Sequence, residues 1–155
     1  MRVALLQYSI AWADKETNLR MAEEHIAALA GKADVAVLPE MFATGFCTDH
    51  PELAETMDGE IIRRLQAVAD KSGVAIVSSF ICLPDPQHSI PDTPAKLRNR
   101  GFMIKPHAEI EIQDKRHLYA HGGEDLFFQP AQKRHIFEYK GVKFLLLVCY
   151  DLRFP

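Results

Sequence analysis

Three short apolar runs, at residues 3–8, 34–39 and 74–81, are separated by two stretches whose apolar side chains recur every three or four positions. That alternation leaves few architectures open. In NLRMAEEHIAALAGKA, Leu19, Ala22, Ile26 and Leu29 share one helical face and Gly31 provides a stop. In DGEIIRRLQAVADKSG, Ile61, Ile62, Leu65, Val68 and Ala69 do the same, with Gly73 as the stop. Residues 14–18 read as a polar turn, and the four prolines between positions 84 and 94 read as a surface loop. RGFMIKP and AEIEIQD then resemble two strands joined at residues 105–108. After an irregular stretch over 115–133, HIFEY and KFLLLVCY form a second strand pair about a Lys-Gly turn. The expectation is an α/β fold with helices on one face of a mixed sheet. Runs that are apolar at consecutive positions, such as 3–8 and 144–148, predict buried strands, the latter covered on both faces. Two helices cannot supply that cover, so another subunit or further sequence is expected to.

Composition narrows the function classes. A chain of 155 residues with 48% hydrophobic and 25% charged residues reads as one soluble globular domain. Eighteen basic residues against twenty-one acidic ones give a net charge of -3 with no basic block, which argues against nucleic acid as a partner. No apolar run reaches bilayer length, and the opening residues are too short in their apolar part for a signal peptide. Cys47, Cys82 and Cys149 cannot all pair and match no zinc spacing. Free thiols in a reducing cytoplasm are the plain reading.

The chemistry lies in the residues just past the apolar runs. Glu40 comes after residues 35–39, Lys115 after 110–114, and Cys149 after 144–148. Strand ends are where side chains from distant parts of an α/β chain converge on a crevice. A thiol, a carboxylate and an ammonium gathered there suit acyl transfer. The carboxylate takes the thiol proton if apolar neighbours such as Met41 and Phe42 make it basic enough, and the ammonium steadies the developing oxyanion. Each residue also has a plain reading: a buried small hydrophobe, a solvated loop carboxylate, and a member of an exposed charge cluster with Asp114 and Arg116.

LPEMFATGF, DKRHLY and VCYDLRFP resemble the three signature segments of the nitrilase superfamily of carbon–nitrogen hydrolases, in the family order Glu, Lys, Cys. The opening RVALLQYSIAWADKETNL is similar to how such chains begin, and DKRHLYAHGGED with CYDLRFP is most similar to the omega-amidases. The resemblance implies Glu40 as general base, Lys115 as the stabilising cation and Cys149 as nucleophile, with the Tyr150 backbone N–H completing the oxyanion site. It implies that Glu124 holds Lys115 and orients the substrate. The implied reaction is hydrolysis of a small amide, such as the terminal amide of a keto acid, through a thioester with release of ammonia and without metal or organic cofactor. The implied fold is the N-terminal part of an α-β-β-α sandwich, in a family that commonly forms homo-oligomers. On that comparison residues 1–155 are a single domain expected to be incomplete at its C-terminal end, and inactive as an isolated chain of this length. Leu97 and Arg98 stand where the family pattern has aromatic residues, ahead of Asn99 and Arg100. Asn99 reads as a structural hydrogen-bonding residue, and Cys47 and Cys82 as structural thiols.

Two other readings stay open. His117, His121 and Glu124 offer two imidazoles four apart and a carboxylate for zinc, although the Gly pair after His121 opposes a regular helix. An inactive interaction module of the same fold would use the unmatched strand faces as interface. Arg116 and Arg153 are candidates to meet a substrate carboxylate.

Overall fold

The computed structural model describes residues 1–84 and 96–154. From residue 85 onward, the proline-rich stretch read as a loop lies outside them. Asp14 opens the first helix instead of sitting in a turn. Its Oδ1 accepts the Thr17 N–H at 3.1 Å, so α1 (Lys15–Ala27) starts three residues before the expected position. A carboxylate over the first free N–H groups of a helix outcompetes a turn. α1 ends at Ala27, before Gly31, and Leu29 packs against the core from beyond its end. α2 (Glu60–Ser72) begins at Gly59, whose lack of a side chain is made good by Glu55, with Oε2 accepting the Ile61 N–H at 2.8 Å. It closes at Gly73, in the left-handed conformation at φ 70° that glycine adopts without steric cost.

Both helices lie on one face of a five-stranded sheet ordered β1 (Val3–Leu5), β2 (Val35–Val37), β3 (Ala75–Cys82), β4 (Arg98–Ile104), β5 (Glu111–Asp114). β1, β2 and β3 run parallel, and β4 and β5 each pair antiparallel with their predecessor. The core between helices and sheet contains Leu19, Ile26, Ile61, Leu65, Ile76, Phe80 and Phe102. Arg64 ties the helices together at the rim, with Nε and Nη2 donating to the two oxygens of Glu23 at 2.8 and 2.7 Å.

β6 (Ile136–Tyr139) and β7 (Val142–Leu145) form a hairpin of their own, turning at Lys140 and Gly141 with φ 49° and 74°. Positive φ at both central residues matches the right-handed strand twist. The hairpin lies on the sheet's other face, where Phe137 and Phe144 stack against each other beside Val35, Ala75, Val77 and Met103. Lys140 Nζ pairs with Asp34 Oδ1 at 2.7 Å, fastening the turn to the start of β2.

Two expectations of buried strands fail. β1 is an edge strand, with Val3 and Leu5 exposed by 52% and 78%. The 144–148 run does not form one continuous buried strand either: β7 stops at Leu145, which is 42% exposed, and residues 146–148 leave the sheet. A two-stranded hairpin presses one face on the sheet and turns the other outward, so consecutive apolar residues cannot all be covered. Among the described residues no helix is long and apolar enough to cross a membrane.

Candidate active site

Because β5 returns to the direction of β2 and β3, the C-terminal ends of all three share one edge, and the N-terminal end of β4 lies there too. Glu40 lies just beyond β2 and Lys115 directly follows β5. Asn99 pairs with Ile81 near the end of β3, and its carbonyl accepts the Lys115 N–H at 2.9 Å. Glu40 is held from both sides: Ser78 Oγ donates to the Pro39 carbonyl at 2.6 Å, and Ser79 Oγ accepts the Met41 N–H at 3.0 Å. Met41 has φ 48°, a conformation that a non-glycine residue keeps only when its neighbours enforce it.

Lys115 is not an exposed charge. Its side chain is fully buried, with Nζ 2.8 Å from Glu40 Oε1 and 2.9 Å from Glu124 Oε2, and 5.4 Å from the centre of the Phe46 ring. Burial would draw its pKa down, but the hydrogen bonds and charges of Glu40 and Glu124 outweigh that and hold it above the ordinary value. Glu124, also fully buried, begins a single helical turn, α3 (Glu124–Phe127), within the stretch expected to be irregular. Its Oε1 accepts from Asn99 Nδ2 at 2.8 Å and its Oε2 from the Tyr119 N–H at 2.7 Å. A second bond from Asn99 Nδ2 reaches Glu40 Oε1 at 2.8 Å.

Cys149 opens a 3-10 helix (Cys149–Arg153) at φ 46°. It is exposed, whereas Cys47 and Cys82 are buried. Burial of part of the thiol pushes its pKa up, Glu40 pushes further through its charge and hydrogen bonding, Lys115 pulls back, and Glu124 adds to the rise. Two carboxylates therefore outweigh one ammonium, and the resting sulfur keeps its proton near neutrality. Glu40 and Cys149 line one cavity of about 320 Å³, walled by Val37, Val77, Leu146 and Leu147. As the second residue of its helix, Tyr150 has an N–H that the helix's own ladder does not use.

Asp151 escaped the sequence reading. Its buried carboxylate accepts the N–H of Val148 at 3.1 Å, of His117 at 2.8 Å and of Arg116 at 3.1 Å. This fastens the residue before Cys149 to the two residues after Lys115. A carboxylate two positions past the thiol, in a helix start, was the available signal. His117 Nδ1 lies 3.0 Å from Asp151 Oδ1 and its ring stacks on Phe154, while Glu124 faces an ammonium. The zinc reading thus lacks a ligand set, and among the described residues no three His, Cys, Asp or Glu side chains are grouped to hold a metal. Arg116 lines a different cavity, with Phe128 and Lys96, and its Nε is buried without a partner among the described residues. Arg153 is exposed in the same turn as Cys149 and has no ion pair among the described residues. Leu97 packs with Phe128, and Arg98 donates to the Gln129 and Pro130 carbonyls, so both departures from the aromatic pattern lie in a structural wall.

Gly101 sets how closely residues 146–148 approach β4. A Cβ there would sit 2.6 Å from the Gln113 carbonyl, 2.8 Å from Leu146 Cδ2 and 3.0 Å from Val148 Cγ2. Gly101→Ala should therefore destabilise the fold by about 1–3 kcal/mol and displace the segment leading to Cys149. Thermal unfolding and the rate of Cys149 alkylation check both consequences.

The carbon–nitrogen hydrolase family model matches residues 2–155. The chain belongs to the carbon–nitrogen hydrolase family. It is 32% identical to the omega-amidase YafV of Escherichia coli K12 over 155 residues, all of this chain and 56% of that protein. It is 30% identical to the 2-oxoglutaramate amidase of Bacillus subtilis over 154 residues, 99% of this chain and 57% of that protein. This carbon–nitrogen hydrolase chain therefore spans a little over half the length of these curated relatives. A crystal structure of a CN-hydrolase superfamily protein from Xanthomonas campestris, with an arsenic adduct in its active site, superposes with a TM-score of 0.89 at 32% identity, covering 99% of this chain and 55% of that one. A mutant of the amidase from Nesterenkonia sp. AN1, showing Michael addition of acrylamide at its active-site cysteine, superposes at 0.80 with 25% identity, covering 100% of this chain and 59% of that one. The α/β fold is that of the nitrilase superfamily.

Proposed function

We propose that this protein hydrolyses small amides through Cys149, with residues 1–155 belonging to one carbon–nitrogen hydrolase domain. The observation that carries the reading is the convergence of Glu40, Lys115 and Glu124 beside the cavity that Cys149 enters. Glu40 takes the thiol proton as sulfur attacks the amide carbon, which suits a thiol held above its ordinary pKa. Lys115 and the Tyr150 N–H stabilise the oxyanion. Ammonia leaves with a proton returned from Glu40, and Glu40 then activates water to hydrolyse the thioester. Glu124 keeps Lys115 aimed at the site. The chemistry uses side chains of this chain and calls for no cofactor, and a cytoplasmic homo-oligomer goes with it.

For the substrate we read a short amide that also carries a carboxylate, the class to which keto-acid amides belong. The relatives called omega-amidase and 2-oxoglutaramate amidase support this choice. Among the described residues the cavity lining holds no cation, and the candidate to meet the carboxylate is Arg153, which is exposed in the same 3-10 helix as Cys149. Ammonia release should then be faster from an α-keto acid amide than from an uncharged amide of the same length. Arg153→Met should raise KM for the first about 10- to 100-fold, the value of a charged hydrogen bond, and leave the second nearly unchanged. Equal rates on both amides would remove the carboxylate from the substrate. In parallel, iodoacetamide should label Cys149 ahead of Cys47 and Cys82, and equally slow labelling of all three would favour an interaction module.

A further inference from the structure

We propose that Asn99 is a positioning residue that holds Glu40 in the orientation from which it can accept the Cys149 proton. The inference rests on the reading of Glu40 as base and Cys149 as nucleophile. Four groups form a closed ring: Glu40 Oε1 meets Lys115 Nζ at 2.8 Å, Lys115 Nζ meets Glu124 Oε2 at 2.9 Å, and Asn99 Nδ2 meets Glu124 Oε1 and Glu40 Oε1 at 2.8 Å each. The ammonium by itself would leave Glu40 free to pivot about one contact. A second donor on the same oxygen turns the pivot into a two-point hold and leaves Oε2 outside the ring.

The amide orientation is dictated by charge, because a flipped Asn99 would set its oxygen against two carboxylate oxygens. Its Oδ1 is buried without a partner among the described residues. A residue kept for strand packing has no reason to bury an unpaired carbonyl, whereas one needed for two N–H donors at a single point has no alternative. Asn99 is 1% exposed and lies on β4, paired with Ile81, with its main-chain carbonyl on the Lys115 N–H. The strand thus places the ammonium through its backbone and both carboxylates through one side chain. Neutrality matters as well: a cationic residue here would grip the carboxylates and blunt Glu40 as a proton acceptor, while an amide adds donors without charge. The charged groups facing the Cys149 thiol are Glu40, Lys115 and Glu124, from three different segments, and Asn99 touches both carboxylates.

The test follows carboxamidomethylation of Cys149 by iodoacetamide against pH, read by mass spectrometry on protein whose fold is checked by circular dichroism. Asn99→Asp, the same shape with donors replaced by a third carboxylate, should move the half-labelling pH up by about one unit and slow labelling at pH 7 by about tenfold. Asn99→Leu should lower kcat for amide hydrolysis while KM stays within about twofold. A folded Asn99→Asp protein whose half-labelling pH matches the wild type within about 0.2 unit overturns the proposal, as does a KM that rises in step with the fall in kcat. If either variant unfolds, Asn99→Ser carries the same test, and wild-type labelling in folded Asn99→Ser overturns the proposal equally. Glu40→Gln separates the two layers. Unchanged labelling in Glu40→Gln defeats the base assignment itself, and slowed labelling there with none in the Asn99 variants defeats the Asn99 role only.

Discussion

Cys149→Ala is expected to lower ammonia release from small amides by at least about 10⁴-fold, because in the proposed mechanism the sulfur of Cys149 carries the acyl group. Stability should change by less than about 1 kcal/mol, since Cys149 is exposed and alanine meets the same backbone constraint at φ 46°. Activity assays paired with thermal unfolding separate the effects. Cys47 offers a control: it is fully buried with its thiol donating to the Thr44 carbonyl, and burial pushes its pKa up. Cys47→Ala should cost stability and leave the chemical step intact. Retained hydrolysis in Cys149→Ala would end the covalent mechanism.

Lys115→Met is the second large effect and acts on fold and chemistry together. Methionine matches the length of the side chain but leaves Glu40 and Glu124 facing each other with no cation, Glu124 fully buried. Removing one partner of a buried ionic group costs about 3–5 kcal/mol, which for a chain of this size lowers Tm by roughly 10 °C. Activity should fall with it, because Lys115 is the cation proposed to steady the oxyanion. The pH dependence has a definite sign. Lys115 is held above its ordinary value of 10.5, so its contribution to stability is complete below that pH and is lost as pH rises through the higher folded value. The wild type should show this alkaline loss and Lys115→Met should not. Calorimetry between neutral and strongly alkaline pH measures the difference, and parallel curves for the two proteins would mean the ammonium does not stabilise the pair of carboxylates.

Much of the architecture was legible because periodicity reports burial directly. α2 lies where Ile61, Ile62, Leu65 and Ala69 placed it, the β4–β5 pair lies where its two apolar segments placed it, and the β6–β7 pair turns at the expected Lys-Gly although β7 stops at Leu145. The errors share a cause. Residues 3–8 and 144–148 are apolar enough for a sheet interior, yet β1 is an edge and β7 belongs to a hairpin covered on one side. Composition states that a segment can be buried, and only the arrangement of layers states what lies over it. Asp14 was misread for a local reason: a capping aspartate and a turn aspartate look the same until the Thr17 N–H is seen to point at it.

Reading the chain by itself offered a carboxylate, an ammonium and a thiol after apolar runs as candidates, and their resemblance to the nitrilase-superfamily segments, not their spacing, singled them out. Tertiary structure decided how those groups act on one another. Strand directions bring residues 40, 99, 115 and 124 to one edge, where burial strengthens every charge and Asn99 joins both carboxylates. It also revealed that burial, and then Glu40 and Glu124 against the single ammonium of Lys115, hold the Cys149 thiol above its ordinary pKa. Electrostatic balance varies with distance and burial, and neither can be read from positions along a polymer.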